Sequence, residues 1–184
     1  VTSTEEVRMA LPVSIDEAVA QLQLGDNPSN LAEVDGFRLD AAAWVESYTG
    51  HILEARDVTE RFRGFTSVQL GAWPVGADAV PGVAYTDASG EPVAIVGARL
   101  DVSRRPARVL PPSGSFYAFR DPRQLFTVTI RAGYEDPGNV PRDLRRAMLI
   151  LISGYDADRE GGDIFAKAEA SARRLCDRHR LRRL

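Results

Sequence analysis

Residues 126–155 read FTVTIRAGYEDPGNVPRDLRRAMLILISGY, and the fold class turns on a change of period inside them. Phe126, Val128 and Ile130 alternate with Thr127, Thr129 and Arg131. An apolar residue at every second position sets one face of a strand on a core and the other toward water. From Pro141, whose fixed φ and absent N–H suit a first helical turn, the spacing lengthens. Leu144, Ala147, Met148, Leu151 and Tyr155 recur at 3 and 4 and mark one face of a helix. Leu149, Ile150 and Ile152 widen that face to most of the circumference. A helix apolar nearly all round is buried on several sides. The pattern predicts a helix over 141–157 that is either central to the core or part of a subunit contact.

Upstream of the decisive strand, Val83 to Thr86 and Pro92 to Val96 flank the turn-like Asp87-Ala88-Ser89-Gly90 and read as a hairpin. Val58 to Phe62 and Thr66 to Leu70 are weaker strands. The Pro-rich Arg104 to Gly114 reads as an extended loop with a short strand at Arg108 to Leu110. Before this β block, expected over 56–134, lie two helices. Ser14-Ile15-Asp16-Glu17 fits a capping box opening a helix over 14–24. Val34, Phe37, Ala41, Trp44 and Tyr48 form the stripe of a second helix over 31–49, with Gly50 suited to the left-handed position that closes it. Gly36 costs up to about 1 kcal/mol relative to Ala inside a helix, which leaves the start of this one open. At the other end, Gly161-Gly162 breaks the chain and Asp163 is placed to cap a last helix running into the C-terminal segment. Helices, then strands, then helices is an α+β order: a small helical bundle with a β-rich insertion between the second and third helices.

The 184 residues carry 23 Lys and Arg and 26 Asp and Glu, a formal charge of −3. That near-balance hides a split. Ser171 to Leu184 holds six Arg and one Asp, +5, so the remaining 170 residues stand at −8. The division predicts a body over 1–170 and a basic tail over 171–184. A hydrophobic share of 44% beside 27% charge is globular composition. The longest apolar run, Ala147 to Ile152, is far short of the ~20 residues of a membrane span, and the N-terminus lacks the basic and apolar regions of a secretory signal. The chain reads as soluble and made in the cytosol.

Catalytic patterns are missing from the sequence. There is no phosphate-binding Gly loop, no nucleophile elbow, no His-Glu-x-x-His and no EF-hand loop. One Cys (Cys176) and two His (His51, His179) leave little for a metal centre, and no cofactor motif is present. His51 reads as a helix-end residue and His179 as a surface residue among arginines. Asp156, Asp158, Glu160 and Asp163 read as solvated or capping carboxylates. Trp73 before Pro74 is a candidate exposed contact. The chemistry does not point to an enzyme.

For the tail, three readings stay open on charge alone, with nucleic acid and a protein surface level between them. Arg173, Arg174, Arg178, Arg180, Arg182 and Arg183 suit phosphate contacts in a nucleic-acid-binding accessory protein. They equally suit an acidic protein surface, or a solvated helix end favoured by the dipole.

Several segments in order resemble a known family. They are Leu11-Pro12-Val13-Ser14-Ile15-Asp16-Glu17-Ala18, Ala43-Trp44-Val45-Glu46-Ser47-Tyr48-Thr49-Gly50, and Ala132-Gly133-Tyr134. Val140-Pro141-Arg142-Asp143-Leu144 with Ala147, and Tyr155-Asp156-Ala157-Asp158-Arg159-Glu160, complete the set. Over residues 11–160 the chain resembles the head–tail connector (adaptor, or head-completion) proteins of long-tailed bacteriophages, with relatives in gene transfer agents. Ser153-Gly154 departs from the bulkier pair common there, and the β block is longer. The resemblance implies a virion protein of the neck, without catalysis and without a cofactor. It implies a ring, usually of twelve copies, beneath the portal protein. Such a ring extends the DNA channel, lets DNA pass without sequence-specific binding, and offers a platform to a stopper, neck or tail-terminator protein. The tail is then expected to dock on the portal through its arginines, with Leu175, Leu181 and Leu184 as apolar anchors. Trp44, Tyr48, Leu144, Met148, Leu151 and Tyr155 are expected to pack the core or a subunit contact. The 87–90 hairpin and the 104–114 loop are expected to face the lumen or the tail.

Overall fold

The structure, a computed structural model, describes residues 11–24, 28–87, 89–114, 121, 123–159 and 162–181. The chain divides into a helical unit, which holds Tyr134–Arg180 and everything up to Thr49, and a β unit of Gly50–Gly133 joined by the residues from Leu181.

In the helical unit, α1 (Ile15–Leu22) begins as its sequence requires. Ser14 Oγ accepts from the Glu17 amide at 3.1 Å, and the Glu17 carboxylate accepts from the Ser14 amide at 3.0 Å. The reciprocal pair satisfies two of the amides a helix start leaves orphaned. The second helix, α2 (Pro28–Thr49), runs unbroken through Gly36, so its start precedes the expected residue 31. Gly36 is exposed, and a Cβ there would meet nothing within 4 Å. Gly50 closes the helix at φ +73°, as expected. Arg38, 7% exposed, is the charged exception among the buried residues described on α2. Its guanidinium bonds Asp35 one turn back and donates to the Val13 carbonyl at 3.2 Å, which ties α2 to the strand-like entry into α1.

The helix predicted from 141 is α3 (Arg142–Ala157), and it is the core helix of its unit. It packs against α1, α2 and α4 (Asp163–Cys176). Contact on three sides is why Leu144, Ala147, Met148, Leu151 and Ile152 are all fully buried. Gly154 belongs to the same surface. A Cβ built there would sit 2.7 Å from the Ala168 Cβ of α4, so the two helices meet where neither carries a larger residue. This explains the glycine at 154. Beyond it Tyr155 lies between Phe37, at a ring separation of 6.1 Å, and Phe165, at 4.8 Å.

The start of α4 differs from the expectation. Asp163 lies in the first turn, Gly162 is the cap, and the capping oxygen comes from Asp158 at the end of α3. Asp158 Oδ2 accepts from the Ile164 and Phe165 amides at 3.2 and 3.3 Å. These backbone donors, led by the Gly162 amide, hold the Asp158 carboxyl below its ordinary value.

Among its described residues the β unit holds seven strands: β1 (Arg56–Arg63), β2 (Val68–Gln69), β3 (Gly82–Thr86), β4 (Pro92–Ile95), β5 (Arg99–Asp101), β6 (Arg108–Leu110) and β7 (Leu125–Ala132). They form two antiparallel sheets, in the orders β1-β7-β3-β4 and β2-β6-β5. The decisive strand is β7, central in the larger sheet, with Phe126, Val128, Ile130 and Ala132 buried. Registry follows from it. Val58 faces Ile130, Phe62 faces Phe126, and Val83 faces Val128. Phe65, Val68, Leu70 and Val109 bring the smaller sheet into the same apolar cluster. Glu60 is on the core face of β1. Its carboxylate accepts from the Gly71 and Ala72 amides at 2.9–3.0 Å, which pins the segment after β2. Trp73, expected as a contact, packs instead on this cluster, with the Arg105 guanidinium 5.7 Å from its ring centre. His51, expected at a helix end, is buried in a bridge to Trp73. The strand leaves the unit at Gly133, φ +116°, where a Cβ would lie 2.7 Å from the Glu54 carbonyl oxygen, so only glycine fits.

Candidate docking surface at the C-terminal helix

The sequence places the basic segment after residue 170, but no structural break falls there. Residues 171–176 continue α4, and Asp177–His179 add a 3-10 turn. Ala172 and Cys176 are fully buried on the inner side of this stretch. Burial pushes the Cys176 thiol up to about 12, so it remains a protonated, unreactive core group at neutral pH.

Most of the described arginines on the outer side are engaged within the helical unit. Trp44 and Tyr48, one turn apart on α2, stack at 5.0 Å with an interplanar angle of 11°. Over them lies Arg173, its guanidinium 6.0 Å from the Trp44 ring and 5.5 Å from the Tyr48 ring. Arg180 covers Tyr48 at 5.1 Å. Such stacks attract a cation through the ring quadrupole. Two carboxylates fix the group. Glu169 accepts from Arg173 at 2.7 Å and from the Trp44 indole N–H at 3.1 Å. Arg173 holds the Glu169 carboxyl below its ordinary value, and Trp44 adds to that. The Tyr48 hydroxyl donates to Asp177 at 2.6 Å, and that bond raises the phenol. One turn further, Asp143 at the start of α3 pairs with Arg178 and lies 3.1 Å from His179 Nε2.

The expected site residues therefore separate. Leu144, Met148 and Leu151 are core. Trp44, Tyr48 and Tyr155 are half-buried, the first two in the arginine stack. Arg173, Arg178 and Arg180 have partners inside the unit. Arg174 is exposed, and Leu175 is half-buried. Leu181 belongs to the β unit, its Cβ 3.7 Å from where a Gly50 Cβ would be. Arg182, Arg183 and Leu184 lie outside the described residues. The partners Glu169, Asp177 and Asp143 were not among the sequence candidates. Glu169 and Arg173 are four apart, a helical ion-pair spacing legible in the sequence. Asp143, 35 residues before Arg178, gives no local signal.

Charge also divides by unit. Residues 50–133 hold ten Arg and eight acids, net +2, whereas 1–49 and 134–180 hold eleven bases and eighteen acids, net −7. The acidity assigned to the whole body belongs to its helical part, and all of that excess lies in residues 1–49, with nine acids and two Arg. Among the described residues no group of His, Cys, Asp or Glu is arranged to hold a metal ion. Among them, too, no helix is long and apolar enough to cross a membrane.

No protein-family model matches the sequence, and no curated protein matches it. Solved structures do share its fold. A chain from the neck of an empty gene transfer agent particle, computed with C6 symmetry, superposes with a TM-score of 0.77 at 21% identity, covering 94% of this chain and 91% of that one. A chain of the virion of a native gene transfer agent particle gives 0.71 at 20% identity, over 96% and 95%. A chain from the native neck computed with C12 symmetry gives 0.66 at 22%, over 94% and 91%. The α+β architecture of this chain is shared with those chains over more than nine-tenths of its length.

Proposed function

We propose that the chain is a structural neck protein, a head–tail connector of a tailed phage or phage-like particle. The observation that carries this reading is the fold match to gene transfer agent neck chains, over 94% of this chain. The ordered motifs from Leu11 to Glu160 point the same way independently. In this reading the chain is no enzyme. Copies form a ring beneath the portal, extend the DNA channel, and present a platform to a stopper or tail-terminator protein. The C6 and C12 symmetry of the related necks supports a ring of copies.

Portal docking falls to the end of the chain. Arg173, Arg178 and Arg180 already have partners in the helical unit, so Arg182, Arg183 and Leu184 carry the contact, and avidity over many copies offsets a weak single site. The pairing of Arg173 with Glu169 and of Arg178 with Asp143 disfavours the alternative, a nucleic-acid-binding protein using the tail, because arginines already neutralised by carboxylates contribute little to phosphate binding.

The test uses purified heads that carry the portal. Removal of residues 182–184 is expected to abolish decoration of the heads, with an unchanged unfolding midpoint as the check that the chain stays folded. Normal decoration by the truncated chain refutes tail docking. A salt titration on duplex DNA is expected to show negligible binding at physiological ionic strength. Tight binding lost steeply between low and physiological salt would instead support the nucleic-acid reading.

A further inference from the structure

Two exposed stripes in the helical unit are complementary, and neither is used by the contacts described above. The exposed large apolar residues of this unit among those described are Leu39, 43% exposed, and Ile164, 55% exposed. Leu39 lies on α2 with Gly36 and Ala43 at helical spacing and Asp40 beside them, all exposed. Of the four acids on α2, Asp35 pairs with Arg38, Glu33 pairs with Arg159 and Glu46 is half-buried, which leaves Asp40 as the exposed charge beside this stripe. Nothing approaches the open space at Gly36. On α4, the exposed Ile164, Lys167 and Arg174 and the half-buried Ser171 repeat at 3, 4 and 3, the spacing of a helix-packing seam. That stripe contains two cations and no acid. The inward pairs, Trp44 with Glu169 and Tyr48 with Asp177, use none of these residues, and Asp40, one turn before Trp44, is the flank of the stripe nearest to them.

We infer that the α2 stripe of one copy docks on the α4 stripe of a second copy, with Leu39 and Ile164 at the centre and Asp40 facing Lys167 and Arg174. The argument for a second copy is charge complementarity within one compact unit. Each copy has both the acidic and the basic face, so each can accept one neighbour and offer itself to another. That is a heterologous contact, which closes into a ring when its rotation permits. Gly36 and Ala43 let the α4 backbone approach closely, and the charges at the rim set register and exclude like-charged pairings. The inference rests on the neck reading and deepens it by naming the faces that join the ring.

Charge reversal tests it on the full-length chain by sedimentation velocity. Asp40→Arg and Arg174→Glu are each expected to weaken self-association about tenfold, with unfolding midpoints unchanged because both sites are exposed. The double variant Asp40→Arg/Arg174→Glu is expected to recover most of the loss. Leu39→Glu is expected to abolish association. Single variants that associate like the wild type, or a double variant no better than the singles, overturn the inference. So does a wild-type chain that stays monomeric up to about 1 mM. Rings that form but ignore these charges overturn the named faces and leave the neck reading standing. A chain that neither self-associates nor joins portal-bearing heads ends both.

Discussion

Two glycines in helix interiors make a matched experiment on the core of the helical unit. Gly36→Ala and Gly154→Ala each replace the residue that loses most backbone freedom on helix formation, so each gains about 1 kcal/mol of intrinsic helix preference. They differ only in what the new methyl meets. At Gly36 it meets open space, and the gain is expressed: a stabilisation of about 0.5–1 kcal/mol. At Gly154 it arrives 2.7 Å from the Ala168 Cβ, well inside van der Waals contact, with a Phe165 ring carbon at 3.4 Å. Helix α4 must then shift, and overpacking of this kind costs about 1–3 kcal/mol. The cost cancels or exceeds the gain, so Gly154→Ala lands between neutral and about 2 kcal/mol destabilised. Subtracting the two variants removes the propensity contribution and isolates the α3–α4 contact at about 1–3 kcal/mol. Urea unfolding followed by far-UV circular dichroism measures it through the shift in midpoint at constant m. If Gly154→Ala stabilises as much as Gly36→Ala, the close approach of α3 and α4 is wrong, and with it the account of why this chain has glycine before Tyr155.

Three other outcomes follow from single groups. Glu60→Ala strips the Gly71 and Ala72 amides of their acceptor and is expected to cost about 1–3 kcal/mol, read as a lower unfolding midpoint, while Glu60→Asp, one methylene short, rescues only partly. Asp158 has a folded-state carboxyl below its ordinary value of 3.8. Its stabilisation is therefore complete above about pH 4, and it is lost as the pH falls through the lower folded value. Stability measured against pH is expected to lose part of its acid limb in Asp158→Asn. Cys176, with its thiol near 12, is expected to resist a thiol reagent at pH 8 in the folded chain and to react fully once urea unfolds it. Fast labelling without denaturant contradicts its burial.

How far the sequence could be read depended on whether a feature is local. Ser14 and Glu17 announce their own capping box, and the alternation from Phe126 to Ile130 announces β7, because the partners lie within a turn or along one strand. The helix from Pro141 was legible as buried on several sides, since only contact on several sides accounts for Leu149, Ile150 and Ile152 beside the main stripe. Strand β5 went unread, because Arg99-Leu100-Asp101 contains one apolar residue and pairs only through β6. Asp163 looks like a cap in isolation, and the chain reversal that brings Asp158 to the same amides is not local. The tail illustrates the limit best. A run of arginines reads as a free basic arm, yet Glu169 holds Arg173, Asp143 holds Arg178, and Arg180 lies over the ring of Tyr48, which is itself bonded to Asp177 129 residues away. The small faces at Gly36 and Gly154 are alike in sequence, and only the position of α4 tells the open one from the filled one.

The central claim is a place in a particle, and an image of that place tests it most directly. Cryo-electron microscopy of the neck of particles that contain this chain is expected to show its helical and β units as a ring between the portal and the first tail protein, around a continuous DNA channel. Density for the chain elsewhere in the particle, or a complete neck in particles that lack it, would contradict the account.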